Sequence, residues 1–175
     1  MINMEQFRHI SFRGRVAYGV SCFENALIAL KYDSNDWKIV LNYLWKFTDI
    51  QYLDDWNDVV VELIPENLLE YKIYEEEEFE HLSRDEFIAL YKLYQSVEDS
   101  INVLLRYIYD LGISHVYTII EEYGEDSLLS LEVLINFMIE NKFPLPNIES
   151  FLKSSIVENR GWGNKFNGTE LSKIL

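Results

Sequence analysis

The sequence predicts an all-α fold: a single compact bundle of six to eight helices with an ordered C-terminal loop, forming one domain over residues 1–175. Apolar residues recur at i, i+3 and i+4 in successive segments, which is the spacing of amphipathic helices. With 7 Gly and 3 Pro in 175 residues, little material is left for the turns of a β-sandwich. An apolar content of 49% is sufficient for one buried core.

The first half of the chain carries three predicted helices separated by polar or proline breaks. The first covers residues 16–32, where the apolar spacing begins and ends. The second, over residues 37–45, follows an Asp-Ser-Asn break that offers N-caps. The third covers residues 53–64 and ends or kinks at Pro65. Residues 66–71 then continue as a new first turn.

The middle of the chain starts with a sequence signal for a helix N-terminus. Ser83 and Glu86 match a capping box, and the helix behind it carries apolar residues over 87–94. A further helix begins at Val97 and stops at Gly112, a residue suited to a helix C-terminus. Residues 113–123 favour a strand by local propensity and a helix by their neighbours, so both remain open.

The C-terminal part carries a last long helix and then an ordered loop. The apolar stripe that begins at Leu128 ends near Asn141. Two prolines bracket an extended segment, and Asn147 is placed to cap a short helix over residues 148–154. The tail is rich in Gly, and we expect Trp162 to fix it to the bundle.

The charge of the chain is strongly and unevenly negative. It has 30 acidic and 15 basic residues, a net charge of -15. Residues 16–149 hold 27 of the acids and 8 of the bases, whereas each end carries a small basic excess. An acidic body predicts a binder of cationic surfaces. It also predicts no nucleic-acid partner and no membrane partner, because phosphate and anionic lipid would be repelled.

The cysteine count and the N-terminus predict a cytoplasmic protein. Cys22 is the only cysteine, so no disulfide can form within the chain, which fits a reducing compartment. The first residues lack the basic and apolar regions of a signal peptide. No apolar run approaches the roughly 20 residues that span a bilayer. The base rate for cysteine favours a buried role for Cys22 over a catalytic one.

Two acidic segments are the candidate partner-binding sites. In the third predicted helix, carboxylates at steps of four share one face and a further Asp lies beside it; a run of four Glu follows in a predicted loop. A solvated face and a two-metal hydrolase site remain alternatives, although the histidine ligands usual in such hydrolases are missing. A second acidic region lies at Asp99, Asp110 and residues 121–126. The candidate residues are Asp54, Asp55, Asp58, Glu62, Glu75, Glu76, Glu77 and Glu78.

No motif for catalysis, metal binding or a cofactor is visible. The three histidines, His9, His81 and His115, have no helical partner, and no phosphate-binding Gly loop or nucleophile elbow is found. We therefore predict that the protein is not an enzyme and uses neither a metal nor a cofactor. The N-terminal arginines, Arg13 and Arg15 among them, are expected to pair with the acidic body and hold the N-terminal arm against it.

Four segments of the chain carry a resemblance to known proteins: residues 11–19, 37–45, 54–56 and 161–175. Together they resemble a group of small bacterial proteins, which are similar to immunity proteins of polymorphic or contact-dependent toxin systems. The resemblance implies a protein that binds and neutralises a cognate toxin domain, often a basic nuclease. An acidic regulatory or scaffold module without a toxin is the alternative, and a metal-dependent hydrolase is a further one. The oligomeric state stays open.

Overall fold

A computed structural model describes residues 4–175, which form an all-α bundle as predicted. Eight α-helices and four short 3-10 helices make up the regular structure, and the described residues contain no strand, only one isolated bridge between Ile10 and Ser155. The 3-10 helices are Ser34–Trp37, Ile148–Ser150, Glu158–Gly161 and Gly168–Leu171. The α-helices are α1 Glu5–Arg8, α2 Phe12–Ala29, α3 Lys38–Lys46, α4 Leu53–Leu63, α5 Pro65–Glu70, α6 Arg84–Ser96, α7 Asp99–Ile113 and α8 Glu125–Glu140.

Helix α2 is the centre of the bundle and packs chiefly against α7 and α8. Every residue from Phe12 to Leu27 is buried, so the helix shows no polar face. The predicted bounds of 16–32 were wrong at both ends. The helix begins earlier because the Ser11 hydroxyl caps it, accepting the Gly14 N–H at 3.2 Å. It ends earlier because Lys31 has a φ of 60°.

The next three helices follow the predicted spacing. Helices α3 and α4 lie within two residues of the predicted bounds, and Pro65 begins α5 as the first residue of a new helix. The aromatic residues at helical spacing are core residues. Trp45 and Trp56 are buried, and the indole N–H of Trp56 donates to the Tyr43 carbonyl at 3.0 Å, which joins α4 to α3.

The predicted capping box at the start of α6 is confirmed. The Ser83 hydroxyl accepts the Glu86 N–H at 3.3 Å, and the Glu86 carboxylate accepts the Ser83 N–H at 3.0 Å.

Replacing Ser83 with alanine should lower the free energy of unfolding by about 1 kcal/mol, because one free N–H of the helix end loses its acceptor. Urea unfolding measures this. Ser96→Ala, at the other end of α6, is the matched control, and an equal loss in both variants would contradict the capping role.

Of residues 113–123, which the sequence left between strand and helix, only Ile113 is helical and none lies in a strand. Helix α7 runs on to Ile113, and the chain then makes hydrogen-bonded turns, with Val116 N–H donating to Ile113 O at 3.0 Å. Gly112 lies inside α7 and does not end it. A Cβ at that position would lie 2.4 Å from the Trp56 ring, so the close packing of α4 on α7 requires glycine.

The C-terminal loop is ordered and attached through Trp162, as predicted. The Trp162 ring packs edge-on to Phe12 at 5.0 Å, and the Arg13 guanidinium lies 5.3 Å from its centre. Asn147 caps a helix as expected, accepting the Glu149 N–H at 3.1 Å. That helix is one short 3-10 turn and does not reach residue 154. Beyond that turn, Ser154 O accepts the Ser11 N–H at 2.7 Å, which holds this stretch against the start of α2.

In residues 4–175, none of the helices combines the length and the apolar character that crossing a membrane requires.

Candidate functional site

The surface of the protein is more acidic than its composition suggests. Of the 30 acidic side chains only Glu24 is buried, whereas two of the 15 basic ones, Arg13 and Arg15, are buried. The accessible surface therefore presents 29 acidic against 13 basic side chains. A cationic macromolecule would be attracted to such a surface from a distance, most strongly at low ionic strength.

The predicted row of acids on α4 lies on the outer face of that helix. Asp54, Asp55 and Asp58 are exposed. The opposite side of α4 carries Trp56 and Val60, which are buried in the core. The three aspartates are therefore free to meet a partner. Whether they do so stays a prediction.

Glu62, the fourth member of the row, is used within the protein. Its carboxylate accepts the backbone N–H groups of Glu80, His81 and Leu82 at 2.9, 3.1 and 2.9 Å. A carboxylate that accepts several amides has little capacity left for a partner's cation. Glu62 therefore holds the loop between α5 and α6 against α4.

The four-glutamate run forms an exposed turn in that same loop. Glu75 to Glu78 are exposed, and the Glu78 N–H donates to Glu75 O at 3.0 Å. Directly after the turn, Phe79 is buried, with its ring 5.2 Å from that of Phe87. The turn is thus fixed at its base by Phe79 and by Glu62. We call the exposed residues Asp54, Asp55 and Asp58 the α4 acidic face.

A second acidic region surrounds two exposed apolar side chains in the α7–α8 loop, residues 114–124. Tyr117 is 95% exposed and Ile119 is 78% exposed. A shallow depression of about 640 Å³ lies among the side chains of this segment. Its exposed carboxylates are Glu121, Glu122, Glu125 and Asp126.

The base of the α7–α8 loop is bound by a fully buried arginine. Every N–H of Arg15 has an acceptor, and four of the five acceptors are backbone carbonyls. Burial lowers the pKa of Arg15 to about 10, and the charge of Glu125 raises it in part, so the group stays protonated at neutral pH. The acceptors are the carbonyls of Phe7, Arg8, Tyr123 and Gly124 and the hydroxyl of Ser127.

Arg13 and Arg15 hold the bundle together as expected, but not by pairing with acids; Arg8 does pair with an acid, Glu5 of α1, at 3.6 Å. Arg13 donates to the carbonyls of Phe47 and Ile50, both at 2.9 Å. Arg15 likewise contacts carbonyls and a hydroxyl. We expected ion pairs because of the charge balance of the chain. That basis was wrong, because a buried guanidinium group can also donate to free carbonyls at the ends of helices and in turns.

His115 is the second buried polar residue beneath the loop. Its Nε2 lies 3.0 Å from the Ser127 hydroxyl and its Nδ1 lies 3.1 Å from the Thr118 hydroxyl. Burial lowers the pKa of His115; Asp126 raises it and Arg15 lowers it further. The neutral ring is thus the form that the folded protein favours.

The lowered pKa of His115 predicts a loss of stability in acid. Above a pH of about 6.5 the ring is neutral in both folded and unfolded chains and adds no pH dependence. Below that pH the unfolded chain takes up the proton first, so the free energy of unfolding falls. His115→Gln should remove this part of the slope below a pH of about 6.5. Urea unfolding at several pH values measures it. An unchanged slope in His115→Gln would contradict the assignment.

Ser127, His115 and Asp126 come together in a way that superficially suggests a hydrolase. Ser127 is fully buried, and its oxygen also accepts a hydrogen bond from Arg15 at 2.7 Å. His115 Nδ1 lies 3.9 Å from the Asp126 carboxylate, which is too long for a hydrogen bond. A substrate carbonyl cannot reach this serine, so the cluster supports the loop and is not built as a nucleophile.

The predicted metal alternative finds no support in the geometry. In the part of the chain that the structure describes, residues 4–175, no three His, Cys, Asp or Glu side chains are grouped closely enough to hold a metal ion. The row of Asp54, Asp58 and Glu62 is spread along α4. Cys22 is buried, which raises the pKa of its thiol well above the ordinary value and keeps it protonated.

The two acidic regions border the same pair of helices. The Tyr109 hydroxyl of α7 donates to the Asn57 side chain of α4 at 2.9 Å. Burial raises the pKa of Tyr109; Arg106 lowers it, and Asp110 and Tyr117 raise it. The α7–α8 loop begins where α7, the helix that contacts α4, ends.

The comparisons with known proteins give no relative. No family model, no curated protein and no solved structure matches the chain.

The sequence singled out the acids of the α7–α8 loop but missed its exposed apolar pair. The segment itself offered no signal for exposure, because residues 116–120 are mostly apolar and such a run is usually buried. The Arg15 network was not visible, because two of its acceptors are backbone carbonyls more than 100 residues away in the chain.

Proposed function

We propose that the protein is a non-enzymatic, immunity-type inhibitor that binds a basic, nuclease-like toxin domain through its acidic surface. The observation that carries the proposal is the surface charge, 29 acidic against 13 basic side chains on a fold whose charged interior is limited to two arginines and one glutamate. The resemblance of the sequence to bacterial immunity proteins agrees with this proposal.

The charge provides a mechanism for recognition and for inhibition. A nuclease needs a cationic surface to hold phosphates. A protein that presents rows of carboxylates attracts that surface, accelerates encounter and covers the groups that would bind the nucleic-acid backbone. Asp54 and Asp58 on α4 and the turn at Glu75–Glu78 are free to supply such carboxylates.

The test is a binding experiment with toxin-like domains encoded beside the gene. The immobilised protein should retain such a domain at low salt and release it at high salt, because exposed charges are screened within about 10 Å at 0.1 M salt. Retention that salt does not affect, or no retention of any such domain, would contradict the proposal. An acidic scaffold protein would instead retain cationic proteins that have no toxin activity.

We expect that neutralising the α4 acidic face slows association with the toxin domain. The triple variant Asp54→Asn, Asp55→Asn and Asp58→Asn should associate with the toxin domain about tenfold more slowly at low salt, with a smaller change in dissociation rate. Stopped-flow mixing or biosensor kinetics measures both rates. Neutralising Glu132, Glu140 and Glu149, three exposed acids elsewhere, is the matched control. Equal slowing by both triple variants would show that only net charge matters.

A further inference from the structure

We propose that Tyr117 and Ile119 are the anchors of the interface, and that the α7–α8 loop docks a cationic protein surface bearing an apolar recess. The inference rests on the proposed function and names the surface that does the binding. It moves the centre of the interface from the α4 acidic face to the α7–α8 loop.

The first step is the exposure of the two side chains. Large apolar side chains this exposed gain most from being covered, and aromatic residues are frequent among those that dominate binding energy. Tyr117 is 95% exposed and Ile119 is 78% exposed, two positions apart in the same loop. No hydrogen bond or ring contact holds the Tyr117 side chain down among the described residues.

The second step is the charge around them, which selects the occupant. Glu121, Glu122 and Glu125 follow within the same segment, and all three are exposed. Hot-spot residues are typically surrounded by polar contacts that exclude water. A rim of carboxylates disfavours a second copy of this acidic chain and favours a lysine- or arginine-rich surface.

The third step is the rigidity of the base. Arg15 binds the carbonyls of Tyr123 and Gly124, and both Glu122 and Gly124 hold a positive φ, 48° and 61°. From the other side, Gly161 packs so closely on Ile120 that a Cβ there would lie 2.4 Å from it. A loop held at its base in this way presents its tip at little cost in conformational entropy on binding.

The experiment uses two defined peptides, so it does not depend on finding a toxin. One is an amphipathic helix of lysine and leucine, roughly 14 residues or four turns long. The other has the same lysines with glutamine in place of leucine. Fluorescence anisotropy of labelled peptide measures the dissociation constants. Wild-type protein should bind the lysine–leucine peptide at least about tenfold more tightly than the lysine–glutamine peptide.

The variants locate the binding. The double variant Tyr117→Ser, Ile119→Ser should raise the dissociation constant of the lysine–leucine peptide about tenfold. It should change that of the lysine–glutamine peptide less than about twofold. Ile73→Ser is the matched control, because Ile73 is 68% exposed and lies beside the Glu75–Glu78 turn. Circular dichroism checks that each variant is folded. Equal weakening by Ile73→Ser, or none by the double variant, would overturn the proposal.

The outcomes separate this inference from the proposed function. Suppose that no toxin-like domain is retained but that binding of the lysine–leucine peptide depends on Tyr117 and Ile119. The proposed docking surface is then supported, and the proposal of a toxin partner is contradicted. If a toxin domain is retained and the double variant binds it as tightly as wild type, the toxin partner stands and the docking surface is wrong.

Discussion

Replacing Arg15 with methionine should lower the free energy of unfolding by about 3–5 kcal/mol, a large part of the stability of a typical domain. The change removes five hydrogen bonds at a position with no exposure. The buried carbonyls of Phe7 and Gly124 then lose a donor that water cannot readily replace. Urea unfolding followed by circular dichroism measures the loss.

Two further variants show whether charge or geometry is responsible. Arg15→Lys keeps the charge but has at most three donors on one nitrogen, so it should still lose about 2 kcal/mol or more. Arg84→Met removes an exposed arginine that lies 6.0 Å from the Tyr74 ring and should change stability by less than about 0.5 kcal/mol. Wild-type stability in Arg15→Lys would show that the fork of the guanidinium is unimportant.

Replacing Glu24 with alanine should be the second large loss, about 3 kcal/mol. Glu24 is buried in α2, and its carboxylate accepts the indole N–H of Trp45 at 2.9 Å and the backbone N–H of Lys173 at 2.7 Å, together with the Ser172 hydroxyl. Removing it leaves the buried indole N–H of Trp45 without an acceptor, which costs about 1–3 kcal/mol, and it also removes the acceptor of the two half-buried donors of the tail.

The Glu24 variant has a second, local readout. Because its carboxylate fixes the last residues of the chain, hydrogen exchange at residues 172–175 should become faster in Glu24→Ala even under conditions where the core is intact. Glu132→Ala, an exposed glutamate of α8, is the matched control and should change neither stability nor exchange there. Slow exchange of the tail in Glu24→Ala would contradict the anchoring role.

Most helices could be predicted from the sequence, but the contacts that join them could not. The helical spacing of apolar residues and the N-capping residues predicted α3, α4 and α6, because those helices have one buried and one exposed face. The same reasoning misplaced both ends of α2, whose two faces are buried, and missed α1, which is too short to show a period. Gly112 was taken as a helix end, although its role is to admit the Trp56 ring.

The candidate site was predictable only in part. Charged residues at steps of four identified the outer face of α4, and the structure places Asp54, Asp55 and Asp58 there. The internal use of Glu62 could not be predicted, because its partners are backbone amides 18 to 20 residues away. Exposure of Tyr117 was equally hidden, because it lies in a mostly apolar run, residues 116–120, of a kind that is usually buried.

The most direct test of the acidic-inhibitor account is a titration of toxin activity. A purified basic toxin domain encoded beside the gene is mixed with increasing amounts of the protein, and its activity is measured at two salt concentrations. The account predicts complete inhibition at one protein per toxin domain at low salt. At high salt it predicts weaker inhibition, with a larger inhibition constant. Full toxin activity in the presence of a large excess of the folded protein would contradict it.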